Sequence, residues 1–227
     1  QEAITIFGDY DVDGATSAAL LVRLLRDLGV PVGAYIPDRL MEGYGPSGAA
    51  LVRIGEAGSK LVVTVDCGAQ AFEAIAEANA AGIETIIVDH HQCATTLPAA
   101  FAVVNPNRLD EAPDAAVHGN LAAVGVAFLL GAALLRVLRG RDFFANRAEP
   151  ALLDLLDLVA LGTVADVARL TGFNRALVTQ GLKIMARRGN IGLAALMDAA
   201  RLTKAPTATD MGFALGPRIN AGGRVGK

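Results

Sequence analysis

Between residues 3 and 105 one pattern recurs: a short apolar run, an acidic or amide side chain at its carboxyl end, then a small-residue segment. The runs are "AITIFGD", "VGAYIPD", "KLVVTVDCG", "IETIIVDHH" and "AFAVVNP". "KLVVTVDCG" shows no polar alternation until its end, as expected of a strand covered on both faces. The intervening segments follow helical spacing. "GATSAALLVRLLRDLG" gathers Leu20, Leu21, Leu24, Leu25 and Leu28 on one face and is ended by Gly29. "GPSGAALVRIGEAG" is a short helix opened by Pro46 and Ser47, and "QAFEAIAEANAAG" is a further helix. Few folds accommodate such repetition. It predicts an α/β fold: a doubly wound, mainly parallel five-stranded sheet with helices on both faces.

After the polar loop "NRLDEAPDAAVHGN" the pattern turns helical, with candidate helices at 121–138, 148–163, 173–188, 191–201 and 207–215. The expected division is therefore an α/β part, 1–116, and a helical part, 117–227. The apolar stretch Leu121 to Leu135 is 15 residues long, short of the roughly 20 a bilayer requires. It reads as a buried core helix, and no membrane association is expected. With 227 residues, 53% of them hydrophobic, the chain can bury a core and intrinsic disorder is excluded. Cys67 and Cys93 form neither a paired framework nor a CxxC motif, and no signal peptide is expected. A reducing cytoplasm is the expectation. The missing initiator Met and the ending "INAGGRVGK" read as a fragment of a longer chain.

Net charge is −3 but unevenly placed. Residues 1–114 carry 6 Lys and Arg against 16 Asp and Glu, a net of −10, while residues 115–227 carry 14 against 7, a net of +7. Such an asymmetry suits a metal-loaded site facing a surface for a polyanion, or two halves that attract one another.

In open parallel sheets, ligands gather at the carboxyl ends of the strands. The first strand end gives Asp9, Asp11 and Asp13, the third Asp66, the fourth Asp89, His90 and His91, and the fifth Asn105; Asp166 closes "LGTVAD". Three acids within five residues repel one another unless cations compensate. Carboxylates with one or two imidazoles suit Mn²⁺ or Mg²⁺ better than Ca²⁺, and so many suit two cations sharing a bridging ligand. The Asp-x-Asp-x-Asp-Gly start resembles a calcium loop, but Leu20 stands where its closing Glu belongs and a strand precedes it. Taken alone, Asp66 fits a helix N-cap, and an isolated His pair fits a core. Their coincidence at equivalent strand ends favours the metal site, with His118 left as structural. Arg39, in "IPDRLMEGYG", and Arg218 and Arg224, bracketing the glycines of "GPRINAGGR", suit bidentate phosphate binding. Arg136, Arg139, Arg141, Arg187 and Arg188 read as solvated helix ends.

"VDHH" at Val88–His91, with "DYDVDG", "VTVDCG" and "GTVADV", resembles the DHH phosphoesterase family. Adding "IPDRLMEGYG", "VVNPN" and "GPRINAGGR", the chain is similar to that family's RecJ-type, single-strand-specific 5′→3′ DNA exonucleases, over Phe7 to Arg224. The resemblance implies two Mn²⁺ or Mg²⁺ ions and hydrolytic release of nucleotides in DNA repair and recombination. It implies Asp11, Asp13, Asp66, His90 and Asp166 as metal ligands, with Asp66 bridging and Asp9 a further ligand or support. Catalytic roles fall to Asp66, Asp89 and His91: Asp89 orients a neighbouring histidine, and His91 contacts the scissile phosphate. Arg39, Asn105, Arg218 and Arg224 form the phosphate and DNA contacts. Expected partners are single-stranded DNA and a single-strand binding protein, on a monomer. Pyrophosphatase members carry a His where Phe7 stands, which argues against that chemistry. Two rivals stand beside this reading: a DHH phosphodiesterase for short oligoribonucleotides or cyclic dinucleotides, and a catalytically silent DHH binding module. Aromatics are only 5% of the chain, and Tyr44 is one stacking candidate that fits a core role equally well, so much of the DNA grip is expected from a further C-terminal domain. This chain alone is expected to hold cations yet degrade DNA poorly.

Overall fold

The computed structural model describes residues 2–223. The first part runs β1 (Ala3–Gly8), α1 (Val12–Asp27), β2 (Val32–Tyr35), α2 (Arg39–Glu42), α3 (Gly48–Glu56), β3 (Ser59–Val65), α4 (Phe72–Ala80), β4 (Glu84–Val88) and β5 (Ala102–Val104). All strand pairings are parallel, in the order β2-β1-β3-β4-β5. The chain order reverses between β1 and β3, and a crevice opens beyond the strand ends at such a switch point. A 3₁₀ turn, Pro113–His118, leads to α5 (Ala123–Arg139). A second 3₁₀ turn, Leu152–Leu155, runs into α6 (Leu156–Ala165), followed by α7 (Gly172–Ala186) and α8 (Ile191–Ala199). One bent helix closes the chain: α9 (Ala208–Asp210), a π turn at Met211–Leu215, and α10 (Gly216–Gly222).

Alternate strand residues face opposite sides of the sheet, and here each side has its own core. Ile6, Val63, Val65 and Val88 join Leu20, Leu24, Val124, Phe128, Val159 and Leu161 of α1, α5 and α6. Phe7, Val62 and Ile87 join Leu51, Ile54, Ile75 and Ala78 of α3 and α4. The helical second half therefore shares one core with the sheet. The apolar Leu121–Leu135 stretch lies within that core, and among the described residues no helix is long and apolar enough to cross a membrane.

Two expected boundaries differ. The helix expected over 148–163 starts at Leu152 as a 3₁₀ turn, because Pro150 biases its predecessor away from helical geometry. The helix expected over 207–215 continues to Gly222, so the described part of "GPRINAGGR" is helical. Pro217 sits in the first turn of α10, where a missing N–H is tolerated. Gly223 approaches protein closely, since a methyl on it would lie 2.6 Å from the Tyr10 carbonyl oxygen, whereas Gly222 faces open space.

Candidate metal centre

The backbone ladder lines up the acids. Gly8, Val65 and Val88 are in register at the ends of β1, β3 and β4. Pairing persists one residue further: Asp9 N–H donates to Val65 O at 3.3 Å, Asp66 N–H to Val88 O at 3.0 Å, and Asp89 N–H to Val104 O at 3.1 Å. Asp9, Asp66 and Asp89 thus stand in a row just beyond the sheet. Asp66 takes a φ of +61°, a conformation that is uncommon outside glycine and clusters at functional sites. The turn from β1 into α1 is tight, and a methyl on Gly14 would lie 2.6 Å from Asp9 N. Asp11 caps α1, accepting from Gly14 N–H at 3.0 Å. Asp13 then falls in the first turn of α1, buried to 1% exposure.

Asp13 reaches across to the helical half. Its two oxygens accept from Ala123 N–H at 2.6 Å and Val124 N–H at 2.9 Å. These are the first residues of α5, whose N-cap Ala122 offers no side-chain acceptor. His90 Nε2 faces Asp66 Oδ1 at 3.2 Å and Asp13 Oδ2 at 3.8 Å, while Nδ1 lies 3.9 Å from Asp166 Oδ2. Asp166 arrives at the C-terminal end of α6. Asp89 is a hub: Oδ2 accepts from Ala69 N–H at 2.9 Å, and Oδ1 accepts from His90 N–H at 2.8 Å and meets His91 Nδ1 at 2.7 Å. The histidine whose ring Asp89 orients is His91. That ring is half exposed and lines a cavity of about 370 Å³ with Tyr44, Gly68 and Gln70.

Three overlapping groups bring ligand atoms within 4.8 Å of one another: Asp9·Asp11·Asp66, Asp13·His90·Asp166 and Asp66·His90·His91. Asp66 and His90 are each shared by two groups. The donor set, carboxylate oxygens with imidazole nitrogens, fits Mn²⁺ or Mg²⁺. Buried orphans point the same way: Asp9 Oδ1 and His90 Nε2 have no hydrogen-bond partner, although buried polar atoms nearly always find one. Charge crowding is visible in the acidities. Burial, then the Asp11 charge, raises Asp9 to about 6; burial, then Asp166, raises Asp13 to about 8. Burial and the Asp13 and Asp11 charges hold Asp66 well above the ordinary carboxylate range, and burial also raises Asp166. Asp89 is the exception: burial pushes it up, but its bonds to His91 and to backbone N–H groups outweigh that and lower it. Its bond raises His91, whereas burial lowers His90.

The expected phosphate contacts are placed less uniformly. Arg39 begins α2 with its guanidinium 4.9 Å above the Tyr10 ring, at a cavity of about 380 Å³ shared with Ile219 and Gly222. Asn105 is 3% exposed; its amide donates to the His91 carbonyl at 2.9 Å and accepts from Asn107 N–H at 2.8 Å. It supports His91 from behind and presents no free face to a nucleic acid. Arg218 lies on α10 and donates to its own helix at Ala214 O, 2.6 Å away. Arg224 lies outside the described residues. His118 stacks edge-on against Phe173, with centroids 6.4 Å apart, and both cysteines are buried free thiols. Sequence reasoning missed three asparagines that hold the site's framework: Asn107, Asn174 and Asn220. The last accepts from Val12 N–H at 3.1 Å, pinning the start of α1. The repeated asparagine in "VVNPN" was the only hint.

Comparison with known proteins agrees with this arrangement. Residues 3–163 match the DHH family, N-terminal domain. The chain is 47% identical over 228 residues to the single-stranded-DNA-specific exonuclease RecJ of Dickeya dadantii, and 45% identical to that of Escherichia coli. Each alignment covers 98% of this chain but 39% of the relative, so the chain spans about two fifths of those proteins. Among solved structures, an exonuclease RecJ bound to manganese superposes with a TM-score of 0.82 at 38% identity, covering 100% of this chain and 54% of that one. RecJ from Thermus thermophilus in complex with Mn²⁺ gives 0.75 at 36%, covering 99% and 30%. The match over residues 3–163 places the chain in the DHH family.

Proposed function

We propose that the chain is the metal-binding core of a single-strand-specific 5′→3′ DNA exonuclease that uses two divalent cations, Mn²⁺ or Mg²⁺. The observation that carries this reading is the convergence of seven acids and imidazoles, three of them shared or orphaned, at the β1/β3 crevice. Asp9, Asp11 and Asp66 would hold one cation and Asp13, His90 and Asp166 the other, with Asp66 positioned to bridge. When bound, such cations supply Lewis-acid charge and an activated nucleophile near neutral pH. The protein's own part is orientation. His91, with Nδ1 fixed by Asp89, presents Nε2 outward to a phosphoryl oxygen or a leaving 3′ oxygen, and its raised pKa keeps a proton available there. Arg39, at the rim beside Tyr10, supplies a guanidinium for the strand's 5′ end, and Arg218 and Arg224 supply positive charge for adjacent backbone. Tyr44, edge-on to His91 at 6.3 Å, offers a stacking face for a base.

The setting that goes with this function is DNA repair and recombination in the cytoplasm, with the protein a monomer that meets single-stranded DNA coated by a single-strand binding protein. The division at residue 116 separates the sheet, which carries most ligands, from the basic helical part that faces DNA. The test is Mn²⁺-dependent degradation of 5′-blocked against 3′-blocked single strands, with Asp66→Ala as control. Degradation that is slow in this chain alone, and that the 5′ block and Asp66→Ala both stop, is expected; faster turnover of a dinucleotide than of the DNA strand would overturn the reading.

A further inference from the structure

Residues 119–124, the strap that leads into the first turn of α5, meet the metal centre through their last residues. The Leu121 backbone favours the charged form of the His90 ring, and Ala123 and Val124 N–H hold Asp13. Two side-chain amides hold this strap in turn. Asn107 donates to Gly119 O at 3.2 Å and to His90 O at 2.6 Å. Asn174 donates to Asn120 O at 2.7 Å and to Arg169 O at 3.0 Å. Arg169 lies three residues beyond Asp166.

We propose that Asn174 is a positioning residue that locks the strap to the α6–α7 turn and thereby fixes the Asp13·His90·Asp166 ligand group, with Asn107 as the strap's second anchor. This rests on the two-cation reading above. An asparagine at a helix N-cap serves that helix's own N–H groups, but Asn174 stands three residues past the N-cap, Thr171. Asn174, in the first turn of α7 and 3% exposed, instead turns its donors onto two carbonyls of separate segments and leaves Oδ1 without a partner. One side of that bridge governs Asp13 and His90; the other follows Asp166. The Asp9·Asp11·Asp66 group is delivered by β1, β3 and the start of α1 and, among the described residues, makes no direct hydrogen bond to the strap, whose bonds to acids of the centre go to Asp13. Loosening the bridge therefore weakens one cation site and spares the other. Groups that orient ligands typically alter metal affinity 10–100-fold when removed.

The experiment is a Mn²⁺ titration of the metal-depleted chain, followed by electron paramagnetic resonance of free Mn²⁺. Wild type, Asn174→Ala, Asn107→Ala and Leu177→Ala are compared, with metal-free melting temperatures measured alongside. Leu177 is a buried core residue of the same helix and reports general loosening of α7. Expected is a 10–100-fold loss at one of two sites in Asn174→Ala, with the other changed less than about 3-fold, and a loss at the same site in Asn107→Ala. Where Asn174→Ala does not fold, Asn107→Ala decides, since its side chain is only half buried. Equal losses at both sites, no loss at either, or the same selective loss in Leu177→Ala would overturn the role of Asn174. A wild-type chain that binds no Mn²⁺ would overturn the two-cation reading itself.

Discussion

Gly14→Ala sets two effects of known size against each other. Alanine in place of glycine within a helix gains up to about 1 kcal/mol from propensity. At Gly14 the added methyl would lie 2.5 Å from Asp9 O, 2.6 Å from Asp9 N and 2.8 Å from Asp9 C, where carbon contacts are comfortable at about 3.5–4.0 Å. All three obstacles are backbone, so no side chain can swing aside. Nor can α1 retreat freely, because Asn220 holds Val12 N–H and Asp11 holds Gly14 N–H. The strand and the helix must part by about 1 Å, and overpacking of this kind costs about 1–3 kcal/mol. The steric term wins, leaving a net loss of up to about 2 kcal/mol. The larger effect falls on the centre, because the parting separates Asp9 from Asp11 and Asp13. A displacement of about 1 Å at reacting groups can lower activity roughly 10²-fold. Gly192→Ala is the internal control: it too lies in a first helical turn, but its nearest neighbour is Asn190 Oδ1 at 3.6 Å. It should stabilise by up to about 1 kcal/mol. Urea unfolding in EDTA and Mn²⁺ titration read both quantities. If Gly14→Ala matches Gly192→Ala in stability and keeps wild-type Mn²⁺ affinity, the steric reasoning fails.

Metal-free stability should fall as pH rises. Folded Asp9 and Asp13 hold protons up to about 6 and about 8 against the ordinary 3.8, so their contribution is full below about pH 4 and lost on passing through those values. Melting temperatures from pH 4 to 9 should show the decline in EDTA and its loss in saturating Mn²⁺. Asp89→Asn removes the negative charge whose bond raises His91, so the His91 titration seen by NMR in Mg²⁺ should move down toward the ordinary histidine value; an unmoved titration would detach Asp89 from His91. Asn105→Ala strips the His91 carbonyl of its buried donor, at about 1–3 kcal/mol in urea unfolding.

The candidate ligands Asp9, Asp66 and His90 were legible because they follow continuous apolar runs whose ends the ladder register places side by side; Asp11, Asp13 and Asp166 lie at helix ends instead. Asp66 and His90 needed no other information than being last in "VVTVD" and "IIVDH". The helix beyond residue 215 was not legible because proline and glycine mark loops and helix starts alike, and packing of α10 on Tyr10 and Val12 selects the helix. The asparagine framework had no comparable signal. Asn107, Asn174 and Asn220 bond backbone groups 12, 54 and 208 residues away, and a backbone carbonyl or N–H looks the same whatever residue carries it. Asp13 is intermediate. Its place among the acids was visible, but its second duty, capping α5 across 110 and 111 residues, was not.

That second duty bears on how so much negative charge is tolerated. A cluster of carboxylates kept for structure would be expected to hold lysines or arginines. Here the ion pairs of basic side chains lie elsewhere: Arg53 with Glu42, Arg108 with Asp110 and Glu111, Arg139 with Glu149, and Arg188 with Asp198. Among the described residues, the acids of the centre meet only His90 and His91 within ion-pair distance. Backbone N–H groups serve Asp11, Asp13 and Asp89, with the start of α5 adding its dipole at Asp13. None of this neutralises Asp9, Asp66 or Asp166, and burial raises all three. Carboxylates this deep without basic partners are stable as anions only beside mobile positive charge. Asp9, Asp66 and Asp166 are thus left without basic side chains other than the two imidazoles, and that shortfall is what a pair of divalent ions would fill.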